Sequence, residues 1–235
     1  MSAMELLSLV PPGWGGTLLK GLMVSLEVAL IGYALGLVIG LGGAILKRHG
    51  GPVSRDLMTV YTTLARAIPE LVLIMLAYFA LPDLINQLFA KLGLDQIQIN
   101  GFLAGVIVIA FVQGAYATEV FRGAMATVPR GHVEAAQSFG MHPFRVFYRI
   151  ILPEMLPAAL PGLSNLWLIA TKDTALLAVV GFVELTLAAR QAAGATKHYF
   201  LFLVAAGALY LLVTLLSQYV FTLVENRFNK GARHG

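Results

Sequence analysis

Residues 18–46 read LLKGLMVSLEVALIGYALGLVIGLGGAIL, and only Lys20 and Glu27 carry charge in that stretch. About 20 apolar residues let a helix cross a bilayer, so a run this long crosses with tilt or a kink. Working outward, four more stretches are apolar enough, at 57–81, 102–121, 155–182 and 200–224. The expected fold is all-α and integral to the membrane, one domain over 1–235 with five spans. Composition agrees: 58% of the residues are apolar and 12% charged, and the mean hydropathy is +0.81. A soluble domain is roughly a quarter charged, so a free-standing soluble enzyme is excluded. A nucleic-acid binder is excluded too, because 16 basic residues face 12 acidic ones without any dense basic run. Cysteine is absent, which removes disulfides and thiolate metal sites. Residues 1–16 contain Glu5 but no Lys or Arg, so the basic region of a cleaved signal peptide is missing.

The connections carry their cations unevenly. Lys47, Arg48 and Arg55 follow the first span, Arg122, Arg130, Arg145 and Arg149 the third, and Arg227, Lys230 and Arg233 the fifth. The alternate connections hold only Lys91, Arg190 and Lys197, and residues 1–16 hold none. Basic residues collect on the cytoplasmic side. The expected orientation is therefore a periplasmic N-terminus and a cytoplasmic C-terminus, as an odd number of spans requires.

The long cytoplasmic connection contains PRGHVEAAQSFGMHPFRVFYRIILP at 129–153. Val133, Ala136, Phe139 and Gly140 fall on one helical face. Gly140 is placed to cap that helix, and Pro143 to open the next. On the second helix Phe144, Phe147 and Ile151 form an apolar stripe beside a basic one of Arg145 and Arg149. A short amphipathic helix of this kind suits a partner's groove; a hairpin lying on anionic lipid is the other reading.

Glu134, Ala135 and Ala136, then Gly140 after three residues, then Ile150, Leu152 and Pro153 after nine more, resemble the EAA loop of importer-type ABC permeases without a gap. Over nearly its whole length the chain also resembles the polar amino acid subgroup, in particular the histidine/lysine/arginine/ornithine-type and opine-type permeases. Tyr61 to Thr63, Arg66 to Val72, Gly114 to Tyr116, Arg122-Gly123 and Lys172 to Leu176 carry that likeness. The resemblance implies a multi-pass subunit of the bacterial inner membrane that imports a polar, basic amino acid or opine by alternating access. It implies as partners a second, homologous permease forming a heterodimer, two ATP-binding subunits and a periplasmic binding protein, within membrane lipid. It also implies that the EAA residues couple the ATPase to the spans.

No G-x-x-x-x-G-K-[ST] occurs, so no P-loop cradles a nucleotide here, and neither H-E-x-x-H nor G-x-S-x-G is present. Catalytic residues, metal ligands and cofactors are therefore not expected on this chain. A secondary carrier would show inverted repeats, and none is seen in the five spans. A non-transporting scaffold that recruits a partner through the same loop is the other rival.

Ionisable groups within spans face protein or water. Lys20 sits at a span end and can snorkel. Glu27 either lines a cavity or satisfies a neighbour. Glu119 sits three residues before Arg122, at the spacing of a local ion pair. Pro69, between Arg66 and Glu70, marks a break in the second span, and broken helices hold many transporter substrates. Glu70 either meets a cationic substrate or pairs with Arg66. Asn165, Lys172, Asp173 and Thr174 either line the pathway or hold span four to its counterpart in the second permease. Gly32, Gly36 and Gly40 let helices approach closely, with packing inside the chain preferred to a subunit contact.

Overall fold

A computed structural model describes residues 2–96 and 98–232; Arg233 of the basic tail and Met1 lie outside the described residues. Among the described residues, five helical stretches are long and apolar enough to cross a membrane: Gly15–His49, Glu70–Leu92, Gly101–Thr127, Pro143–Val180 and Tyr199–Phe228. A short α1 (Ala3–Leu6) precedes α2 (Gly15–His49), whose 35 residues span roughly 50 Å. The tightest seam joins α2 to α6 (Gly101–Thr127). A β-carbon on Gly32 would lie 2.7 Å from the Ile109 side chain, and one on Gly40 would lie 2.4 Å from the Ala117 β-carbon. The four-residue glycine period thus serves packing within the chain, because α6 occupies that face.

The stretch 57–81 is not one helix. α3 (Pro52–Ala67) stops at Ile68, whose backbone is extended, and α4 (Glu70–Met75) starts after Pro69. Proline lacks an N–H and pushes the preceding residue out of helical geometry. The apolar path then continues through a π turn (Leu76–Ala80) into α5 (Leu81–Leu92), which ends at Gly93 in a left-handed conformation. A second π turn (Phe147–Ile151) links α8 (Pro143–Val146) to α9 (Leu152–Asp173). Each π turn contains the residue four before a proline, Tyr78 before Pro82 and Arg149 before Pro153. The proline ring crowds that carbonyl in a regular helix, and the widened turn relieves it.

At its far end α9 tightens into a 3₁₀ helix (Thr174–Val180), closed by Gly181 at φ +78°. The connection expected at 183–198 is largely α10 (Leu185–Thr196), folded back with Leu185, Ala188, Ala189, Ala192 and Ala193 buried. α11 (Tyr199–Ala232) completes the chain. Two cores result. One lies between α2, α6 and α9 around Val28, Ile109, Val112, Met155, Leu163 and Leu177. The other gathers Leu6, Leu18, Leu22, Leu185 and Phe202 around α10. Trp167 ties α9 to α11 by donating to the Ser217 hydroxyl at 2.9 Å.

Candidate functional site

The apolar stretch Glu70–Leu92 is immediately preceded by the helix break at Ile68 and Pro69. Just before it, the Tyr61 hydroxyl donates to the Phe111 carbonyl of α6 at 2.7 Å, and a β-carbon on Gly114 would lie 2.8 Å from that hydroxyl. Just after it, Leu73 and Leu76 line an apolar cavity with Ile107, Val108 and Phe111. Ile68 and Pro69 therefore sit level with residues 107–111, inside the apolar run of α6.

Two carboxylates converge there. Glu70 begins α4 and Asp173 ends α9, and α4 packs against the 3₁₀ helix that Asp173 precedes. The two are close enough to repel electrostatically, while the Lys172 ammonium attracts Asp173. Among the described residues neither carboxylate accepts a hydrogen bond, and no ion pair joins Arg66 to Glu70. Arg66 instead turns back along α3, its Nε donating to the Thr62 carbonyl at 2.9 Å. Thr174 is buried, with its hydroxyl donating to the Thr171 carbonyl at 2.8 Å. Asn165 is directed elsewhere, into a groove against Gln218 and Phe221 of α11. Of the sequence-derived pathway residues, the structure brings Glu70 and Asp173 within electrostatic reach, leaves Lys172 exposed beside Asp173, turns Thr174 inward and directs Asn165 toward α11. Glu27 lines a different cavity of 480 Å³, with Tyr78, Phe102 and Phe182.

The loop is a helical hairpin seated on the main core. α7 (Arg130–Ser138) ends in a capping turn: the Met141 N–H donates to the Ala136 carbonyl at 3.2 Å, and Gly140 sits at φ +73°. Val133, Met141, Phe147, Ile150 and Leu152 are half-buried against the core, and Ala136 and Ile151 are buried in it. His132 meets the Glu154 carboxylate at 2.9 Å, which pins α7 to the start of α9. The shared face expected for Val133, Ala136 and Phe139 stops short, because Phe139 is 88% exposed. The helix ends at Ser138, and the chain swings outward before Gly140. Phe144 likewise leaves the stripe of Phe147 and Ile151 and is 71% exposed. The outer surface of the hairpin is thus Glu134, Ala135, Phe139 and Phe144, while Ile150 and Leu152 fasten it from behind.

Two features escape the sequence reading. Glu184 is fully buried. It caps α10 by accepting from the Thr186 and Leu187 N–H groups, each at 2.8 Å, and from the hydroxyls of Tyr210 at 3.0 Å and Ser25 at 3.3 Å. Glu119 does pair with Arg122 at 2.8 Å, but it also takes Lys47 at 2.5 Å. Lys47 in turn donates to the Thr62 hydroxyl at 2.8 Å, so α2, α3 and α6 are joined. Partners this distant in sequence leave no local pattern; an acid at the head of the alanine-rich run 185–196 is the one available signal for Glu184.

A family model described as a binding-protein-dependent transport system inner membrane component matches residues 17–230. The histidine/lysine/arginine/ornithine transport system permease protein HisQ of Salmonella typhimurium is 40% identical over 221 residues, 94% of this chain and 97% of that protein. The octopine transport system permease protein OccQ of Rhizobium radiobacter is 36% identical, with 100% of both chains covered. Among solved structures, an amino acid ABC transporter with histidines superposes with a TM-score of 0.76 at 27% identity, over 91% of this chain and 95% of that one.

Proposed function

The chain belongs to the binding-protein-dependent transport system inner membrane components, and from that membership we propose that it imports a basic amino acid or opine across the bacterial inner membrane. In this reading it pairs with a second permease, receives substrate from a periplasmic binding protein and is driven by two ATP-binding subunits. Its N-terminus is periplasmic and its C-terminus cytoplasmic, as the distribution of Lys and Arg favours.

The observation that carries the coupling is the α7 hairpin. It presents Glu134, Ala135 and Phe139 outward while its rear is fixed to the core. Force applied to it reaches α9 directly through His132 and Glu154 and through Ile150 and Leu152. At the other end of α9 lies Asp173, within electrostatic reach of Glu70 beside the helix break. An amino acid with a cationic side chain brings two positive charges and one negative; Glu70 and Asp173 match the first, and Lys172 matches the second. Movement of the hairpin thus shifts one wall of the pathway.

Reconstitution of the assembled transporter with Gly140→Asp or Glu134→Lys tests this. Any side chain at Gly140 strains a left-handed turn by about 1 kcal/mol or more, and Glu134→Lys reverses the charge of the docking face. ATP-driven uptake is lost in both, with the spans still inserted. The ATPase subunits either dissociate from the membrane or hydrolyse without response to substrate. Normal uptake with substrate-stimulated hydrolysis in both variants contradicts the coupling role.

A further inference from the structure

The ends of α2 and α6 enclose a second kind of site. A cavity of 340 Å³ is lined by Lys47, Arg48, Arg122 and Arg130, together with Ala126 and Val128. Four cations converge, and among the described residues the one carboxylate in direct contact with any of them is Glu119. Lys47 and Arg122 share it. Arg48 donates to the Met125 carbonyl, near the negative end of the α6 dipole. Arg130 is exposed at the start of α7, without a hydrogen bond or ion pair among the described residues. After these contacts the cluster keeps an excess of positive charge.

We propose that this cavity binds the phosphate of an anionic phospholipid. An oxyanion matches its charge, since Arg offers planar paired donors to phosphate. Depth identifies lipid as the source. The lining comes from the ends of two apolar helices, α2 at His49 and α6 at Thr127, where headgroups lie. Val128 is buried, but Ala126, which interrupts the polar wall, is exposed, and so is Leu46 beside Lys47. A soluble acidic partner would leave these apolar groups uncovered; acyl chains cover them. The bound phosphate bridges the end of α6 to the start of α7, so lipid steadies the root of the hairpin. The assignment of this rim to the cytoplasmic leaflet rests on the orientation proposed above; the binding itself does not.

Native mass spectrometry of the assembled transporter, incubated with equal phosphatidylglycerol and phosphatidylcholine, tests the site. Phosphatidylglycerol is retained preferentially. Arg130→Gln weakens that retention about fivefold, and Arg122→Gln with Arg130→Gln weakens it about 25-fold. Arg122→Lys, which keeps the charge and a partner for Glu119, retains the preference and so separates loss of the site from loss of folding. Unchanged retention in both glutamine variants, or equal retention of the two lipids by the wild type, overturns the proposal. Full displacement by millimolar inorganic phosphate assigns the cavity to a free anion and overturns the lipid source. Retention seen only after the ATPase subunits are stripped away assigns the cavity to protein docking, with the same consequence. None of these readouts uses ATP or substrate, so failure of the transport reading would leave them unaltered.

Discussion

Glu184 and Glu70 are both carboxylates in an apolar chain, and they are held in opposite ways. Glu184 is fully buried, accepts four hydrogen bonds and binds α2, α10 and α11 into one unit. Glu70 is half-buried at the head of α4, accepts none among the described residues and faces a second acid, Asp173. A buried acid that is fully satisfied is part of the scaffold; one left beside a like charge in a broken helix is set up for a cation that arrives from outside. The same contrast separates the two halves of the molecule. The glycine seam and the α10 cap are close-packed, while the path through α3 and α4 is interrupted at Pro69.

This contrast breaks if the wrong acid proves structural. The largest expected effect is that of Glu184→Ala, which removes the fully buried acceptor shared by four donors and costs about 3–5 kcal/mol. Its thermal unfolding in detergent should fall steeply, with α10 losing protection in hydrogen exchange. An unfolding midpoint equal to wild type would contradict the scaffold role. Next comes Gly40→Ala, whose added methyl would lie 2.4 Å from the Ala117 β-carbon. Overpacking of this kind costs about 1–3 kcal/mol. Ala117→Gly in the same chain should restore part of the lost midpoint; restoration from no second-site change in α6 would place the strain elsewhere.

Tyr210→Phe removes one of the four donors to Glu184. It should lower stability by about 1 kcal/mol, well short of the loss for Glu184→Ala. Equal losses would mean that Glu184 acts only through Tyr210. At the far end of the series, Glu70→Gln should leave the unfolding midpoint within about 0.5 kcal/mol of wild type, since a substitution that breaks no buried contact stays in that range. A large drop would move Glu70 into the scaffold and dissolve the contrast.

The sequence makes the spans legible because hydropathy over 20 residues is a strong signal, and it makes the break legible because proline acts locally. Pro69 marks the break in the second span, and Gly140 marks the end of α7. What stays hidden depends on distance in sequence. Lys47 and Glu119 meet across 72 positions, and Ser25 and Glu184 across 159. α10 is hidden for a different reason: at 12 residues it is too short for a span, and its alanines resemble a linker until α2 and α11 close over them. Asn165 and Lys172 share a helical face, yet Asn165 opens onto a groove beside α11 while α4 and the 3₁₀ helix flank Asp173. Which side of a helix meets substrate is thus decided by its neighbours.

In the function proposed here, the acids at the broken span select a cationic substrate for ATP-driven import. This selection is tested most directly by uptake into proteoliposomes holding the assembled transporter, with ATP inside and binding protein outside. Labelled arginine, lysine and octopine are compared with labelled glutamine for the wild type and for Glu70→Gln. ATP-dependent uptake should favour the cationic substrates, and that preference should fall by at least about tenfold in Glu70→Gln, the cost of one charge-assisted hydrogen bond. Preference for glutamine in the wild type, or an unchanged preference for arginine in Glu70→Gln, would contradict that selection.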